Sequence, residues 1–279
     1  MAIKFTKNTA ITVPNSFFKR IKTGLKIVDD LFGGGLVGGQ VLTVCGHRGA
    51  GKTQFMLQLL DACGSKNKSV GYLSCEETIE QIAYTANRIG VDVPISTFNT
   101  IDEVLSAMDD LDVLVMDSLS MINIGNKRRL TYEEKAVDLI YEKAKLTNCA
   151  IFIVIHMTKN GTMKGSSYLA HKVDANLHIE LFPEEEKKGM RKIYTTKNRF
   201  GSSKEICLEM TKKGYNFDVE EDFSDTQEIE NEEQITNNLF LVPNSKRNSV
   251  NKRKTKPTLI KIFDNIKYGM KIIDDFLSK

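Results

Sequence analysis

The residues Gly46-His47-Arg48-Gly49-Ala50-Gly51-Lys52-Thr53 fit the spacing G-x-x-x-x-G-K-[ST]. Glycine lets backbone N–H groups converge on phosphate oxygens without side-chain clash. A lysine at the end of the loop reaches the outer phosphates, and the hydroxyl after it, Thr53, can hold Mg2+. A helix opening near Lys52 adds the positive end of its dipole. The chemistry is the binding of a nucleoside triphosphate with Mg2+ by Gly46 to Thr53, with Gln54 next along the same turn.

A metal needs a second anchor. "LDVLVMDS" is an apolar strand ending in Asp117. A carboxylate at the C-terminal end of such a strand sits in the ligand crevice of an α/β sheet and can hold Mg2+ through water. Hydrolysis needs a group that orients water. "GYLSCEETIEQI" ends another predicted strand in Glu76 and Glu77. Glu76, nearer the strand end, is the expected catalytic carboxylate; Glu77 is expected to cap the helix or bond a neighbour. His156, at the tip of a further strand, is either a sensor of the γ-phosphate or a satisfied polar core residue.

Three basic groups remain. Lys197 and Arg199 alternate along a predicted strand, so both project from one face, and two cations there need an anion. "SMINIGNKRRLTYEE" carries Lys127, Arg128 and Arg129, and "HMTKNGTMKGSS" carries Lys159 and Lys164. Cations on flexible backbone follow a phosphate chain without reading bases. Neither loop offers an aromatic platform for stacking, so weak sequence preference and strong salt dependence are expected.

The elements that position these residues are legible as periodicity. Val41–Cys45, Ser69–Ser74, Asp112–Met116 and Ala150–Ile155 are short Val/Ile/Leu-rich runs, suited to strands buried on both faces. Thr53–Cys63, Ile79–Ile89, Ile101–Asp109 and Tyr132–Leu146 repeat apolar residues at helical spacing between them. This alternation predicts an α/β fold with a mainly parallel sheet flanked by helices. After Ala175, "ANLHIELF" and "RKIYTTKNRFG" read as a hairpin, with "SKEICLEM" and "GYNFDV" adding short antiparallel strands.

The predicted domain covers residues 1–218. Residues 219–256 read as an acidic then basic linker without a packed core: nine carboxylates and no Lys or Arg lie between Asp218 and Glu233. Residues 257–279 place Leu259, Ile262, Phe263, Ile266, Met270, Ile273 and Leu277 on one helical stripe. "IKYGMKIIDDFL" there matches "IKTGLKIVDDLF" (Ile21–Phe32) at seven of twelve positions. That echo is either a shared amphipathic pattern or a copy of the N-terminal docking segment.

The 279-residue chain is 41% hydrophobic and 27% charged, ordinary for a globular protein. No apolar run approaches the roughly 18 residues that span a bilayer, and the N-terminus lacks a secretory core; a cytoplasmic protein is expected. The five cysteines contain no Cys-x-x-Cys pair, which argues against a zinc module or a disulfide framework.

The order of motifs resembles the RadA/Sms branch of the RecA-fold ATPases. Thr23–Thr53, Tyr72–Gly90, "LDVLVMDS", His156–Glu180 and above all "KNRFG" (Lys197–Gly201) carry the likeness, over roughly residues 20 to 217. The resemblance does not extend to the four-cysteine zinc module and protease-like domain of that family. It implies a DNA-stimulated ATPase motor in a ring, expected to be a hexamer, acting on single-stranded or branched DNA in recombination and repair. It also implies that Lys197 and Arg199 complete the nucleotide site of the next copy, and that a recombinase or replication protein is a partner. Two other readings are a replicative DnaB-like helicase motor and a KaiC-like signalling ATPase.

Overall fold

The periodic segments fold into strands and helices close to their expected limits. The computed structural model describes residues 5–119, 129–157, 167–182 and 189–218. Two 3-10 turns, Asn8–Ala10 and Asn15–Phe17, precede α1 (Lys26–Leu31), β1 (Val41–Gly46), α2 (Lys52–Gly64), β2 (Val70–Ser74) and α3 (Ile79–Ile89). Then come β3 (Ile95–Thr97), α4 (Ile101–Ala107), β4 (Val113–Asp117), α5 (Arg129–Thr147), β5 (Ala150–His156) and α6 (Ser167–Lys172). The chain continues through β6 (Ala175–Leu181), β7 (Met190–Asn198), β8 (Glu205–Thr211) and β9 (Gly214–Tyr215). The short elements α1, β3 and α6 were not anticipated; each is too brief to show a period.

The nine strands lie in the order β3-β2-β4-β5-β1-β6-β7-β8-β9. From β3 to β6 neighbours are parallel, and from β6 to β9 they are antiparallel. This is the expected α/β architecture with its antiparallel extension. All six residues of β1 are buried, as a central strand covered on both faces requires. Leu42 and Val44 face one core, with Phe55, Leu59 and Leu60 of α2 and Ile82 of α3. Val41 and Cys45 face the other, with Val104 of α4 and Val137 and Ile140 of α5. Each such Leu, Ile or Phe contributes roughly 1.5–3 kcal/mol of burial.

Local chemistry fixes the helix ends. Thr78 and Thr100 each close a capping box, with Gln81 and Glu103. Gly90, at φ 74°, ends α3 in the left-handed conformation that favours glycine. The assignment of Glu77 as a cap is therefore corrected: Thr78, whose short hydroxyl reaches the Gln81 N–H, holds that position.

Register aligns the chemistry. Gly46 pairs with His156, and Ser74 pairs with Asp117. The C-terminal ends of β1, β2, β4 and β5 thus share one edge of the sheet. Among the described residues no helix is long and apolar enough to cross a membrane. The linker and C-terminal helix expected over 219–279 lie outside the described residues.

Candidate active site

The phosphate loop leaves β1 at Gly46 and enters α2 at Lys52. Gly49 and Gly51 hold φ of 79° and 96°, and Ala50 N–H closes a turn on the His47 carbonyl at 3.1 Å. A glycine is needed at position 51 for space as well: a Cβ there would meet Tyr215 Oη at 2.6 Å and the Met210 sulfur. His47 and Arg48 are exposed. Lys52 is 6% exposed, and its ammonium donates to the carbonyls of Gly46 at 2.9 Å and His47 at 3.1 Å. Burial lowers its pKa, against the opposing pull of Asp117 and Glu76.

Asp117 ends β4 at the same edge, 7% exposed. One carboxylate oxygen accepts from the Tyr72 hydroxyl at 2.6 Å, and the other, Oδ1, has no partner. Burial raises the Asp117 pKa, and the Tyr72 hydrogen bond opposes it. Tyr72, flanked by Asp117 and Thr53, is itself held well above its ordinary pKa by burial first and by Asp117 next. A buried, unsatisfied carboxylate oxygen is costly, and a divalent cation is the partner that suits it. Thr53 and Asp117 therefore fit Mg2+, with oxygen ligands only. Gln54 Oε1, in the first turn of α2, is a second buried acceptor without a partner.

Glu76 follows β2. It accepts from the Ser118 hydroxyl and from His156 Nε2 at 2.8 Å. The His156 hydrogen bond, followed by that of Ser118, holds its carboxyl down to about 2 against desolvation. Glu77 differs: burial, then Asp117 and Glu76, raises its pKa. Glu76, Asp117 and His156 present ligand-capable atoms within 4.8 Å of one another. The structure thus brings together Lys52, Thr53, Asp117, Glu76 and His156, drawn from the ends of four strands.

Lys197 and Arg199 stand elsewhere. Lys197 lies in β7, and Arg199 one residue beyond its end. Lys197 Nζ donates to the His171 carbonyl at 2.6 Å, and Arg199 Nη2 to the same carbonyl at 3.3 Å. The anion beside Arg199 is Asp174, which accepts from Arg199 at 3.1 Å, Lys145 at 2.7 Å and Val41 N–H at 3.0 Å. Val41 opens β1, so the pair sits at the opposite edge of the sheet from the phosphate loop. Six residues of strand separate the two edges by about 17 Å.

The rest of "KNRFG" is a fastening. Arg20 donates to the Phe200 carbonyl at 2.6 Å, and Phe17 meets the Phe200 ring edge-on at 5.6 Å. A Cβ on Gly201 would stand 3.0 Å from Gly33 Cα. Lys127, Arg128, Lys159 and Lys164 lie outside the described residues; Arg129 begins α5. Sequence reasoning missed Tyr72, Ser118 and Asp174. Ser118 was readable as the residue after the strand-end carboxylate Asp117, but Tyr72 and Asp174 carry no local signal.

A family model described as "ATPase: KaiC" matches residues 21–96, which include the phosphate loop and both glutamates. "DNA repair protein RadA" of Aquifex aeolicus is 34% identical over 212 residues, covering 70% of this chain and 46% of that protein. RadA of Haemophilus influenzae is 29% identical over 206 residues, covering 70% and 44%. The chain is homologous to the RadA proteins over a RecA-like core. It spans less than half the length of these RadA relatives. Among solved structures, an isolated ATPase domain superposes with a TM-score of 0.63 at 12% identity, covering 71% of this chain and 90% of that one. A DnaB-like replicative helicase gives the same score at 11% identity, covering 71% and 61%. These two likenesses establish the fold of this chain.

Proposed function

We propose that this chain is a RadA-like, Mg2+-dependent ATP hydrolase that moves on single-stranded or branched DNA, with each active site completed by a neighbouring copy in a ring. One observation carries the reading. Lys52, Thr53, Asp117 and Glu76 converge at one edge of the sheet, while Lys197 and Arg199 stand about 17 Å away at the other. Those cations do not reach their own nucleotide site, which supports service to the site of a second copy.

The residues divide the work. The loop N–H groups and Lys52 bind the phosphates. Thr53 and Asp117 Oδ1 hold Mg2+, which when bound neutralises charge on the phosphate oxygens. Glu76, ionised at neutral pH and a weak proton acceptor, orients the attacking water rather than deprotonating it in the ground state. His156 holds Glu76 until nucleotide arrives and reports its state to the loop that follows β5. The neighbour's Lys197 and Arg199 stabilise charge developing on the transferred phosphoryl group. The loops after β4 and β5 leave the sheet at this same edge, which supports DNA contact by Lys127, Arg128, Arg129, Lys159 and Lys164. The named repair role of the RadA relatives supports DNA as the polymer.

ATP turnover measured with and without single-stranded DNA tests the reading. Stimulation by DNA, and its loss in Lys52→Ala, is the expected result. Lys52→Ala turnover equal to wild type would sink the phosphate-loop assignment. Vigorous turnover indifferent to DNA would favour a signalling ATPase, the reading to which the match with the KaiC-described model points.

A further inference from the structure

The strand that ends beside Arg199 begins behind the phosphate loop. Arg191, second in β7, is 8% exposed. Its Nε donates to the Ala50 carbonyl at 3.1 Å, and its Nη1 to the Met190 carbonyl at 2.9 Å. The Tyr215 hydroxyl, from β9, donates to the same Ala50 carbonyl at 3.0 Å. A carbonyl oxygen has two lone pairs, and here both are used by side chains of the antiparallel extension. Tyr215 is itself fixed. Its backbone exchanges two hydrogen bonds with the Gln58 side chain, at 2.7 and 3.0 Å, and its ring meets Phe55 edge-on.

The consequence follows from peptide geometry. The Ala50 carbonyl and the Gly51 N–H belong to one planar trans unit and point in opposite directions. Holding the oxygen against the extension turns the N–H to the other side of the loop. Among the described residues that N–H has no acceptor. The back of the loop is closed, since Met210 and Tyr215 fill the space a Gly51 side chain would need. The open side is where an anion enters. Arg191 pairs with no carboxylate among the described residues. A buried cation with no carboxylate beside it among the described residues is costly, and an anion in the loop is a compensation this position offers. The guanidinium also polarises the amide it grips, which strengthens the N–H as a donor.

We propose that Arg191 and Tyr215 are positioning residues of the nucleotide site. They clamp the Ala50–Gly51 peptide so that its N–H faces the phosphates of the bound nucleotide, and Arg191 adds its charge from behind. The proposal rests on the phosphate-loop reading above.

The test is equilibrium binding of a non-hydrolysable ATP analogue to the full chain carrying Tyr215→Phe, Arg191→Met or Arg191→Lys. Tyr215→Phe keeps the ring and removes only the hydroxyl. Its Kd is expected to rise about threefold, and that of Arg191→Met about tenfold. Arg191→Lys, which keeps the charge, is expected to recover much of the loss. The melting temperature of nucleotide-free Tyr215→Phe should stay within about 2 °C of wild type, the scale of a single neutral hydrogen bond. Wild-type affinity in both Tyr215→Phe and Arg191→Met overturns the clamp. So does equal weakening in Arg191→Lys and Arg191→Met, which would mark Arg191 as mere packing. If Arg191→Met fails to fold, Tyr215→Phe decides alone. A wild-type chain that binds no analogue overturns the phosphate-loop reading itself, a result separate from failure of the clamp.

Discussion

Glu76 shows how neighbours set the chemistry of one carboxyl. Its hydrogen bonds to His156 and Ser118 favour the charged form and hold it at about 2, below the usual 4.5. A carboxylate depressed in this way stabilises the fold above its unfolded pKa. That contribution is lost as pH falls through the folded value, between about 4.5 and 2. His156→Ala removes the largest cause, so the Glu76 carboxyl should rise toward its ordinary value. Carbon NMR titration of that carboxyl would read the change, and the acid limb of the ATPase pH profile should move upward with it. A Glu76 titration unchanged in His156→Ala would show that the histidine does not hold the carboxylate. Asp117 moves the other way because burial dominates there, and its unpartnered Oδ1 is what supports its proposed role as a metal ligand. Both positions were readable from the sequence as strand-end carboxylates. Their opposite electrostatics were not, because burial and partners come from other strands.

At the scale of elements, the turn "KNRFG" depends on a close backbone approach. Gly201 lies against Gly33, and Arg20 ties down the Phe200 carbonyl between them. Gly201→Ala puts a methyl 2.9 Å from Asn198 Nδ2, 3.0 Å from Gly33 Cα and 3.1 Å from the Phe32 carbonyl. The turn must shift, and Arg199 with it. ATP affinity should stay within about twofold of wild type while turnover falls on the order of tenfold, since the phosphate loop is at the opposite edge. Equal loss of binding and turnover in a steady-state assay would contradict this separation. Helix and strand limits were largely legible in the sequence because capping boxes and apolar periods are local. The fastening of "KNRFG" was not, because Phe200 meets Arg20 across 180 residues of chain.

For the whole molecule, the proposed function gives each copy two half-sites, one at each end of the strands. Arg199→Ala spoils the donated half, and Glu76→Gln spoils the receiving half. Arg199→Ala should lower turnover by roughly a thousandfold if the cation acts across an interface, and Glu76→Gln by about a hundredfold or more. Mixed in equal amounts, the two variants should recover part of the lost activity, because some interfaces pair an intact finger with an intact Glu76. Turnover per copy should also rise with protein concentration. A mixture no more active than its components, or a solitary copy turning over at the full rate, would remove the shared site.

The sequence by itself determined the phosphate loop, the strand-end carboxylate Asp117, the double glutamate and the alternation of strands and helices. Each is written in adjacent residues or short periods, where backbone freedom, hydroxyl position and apolar spacing act locally. Only the tertiary structure decided that Lys197 and Arg199 stand away from their own nucleotide loop, and that Asp174 is the anion beside Arg199. It alone brought Arg191 and Tyr215 to Ala50, across 141 and 165 residues. Those outcomes depend on strand order and register, which the burial of two opposing faces selects for the sheet as a whole and no single segment encodes.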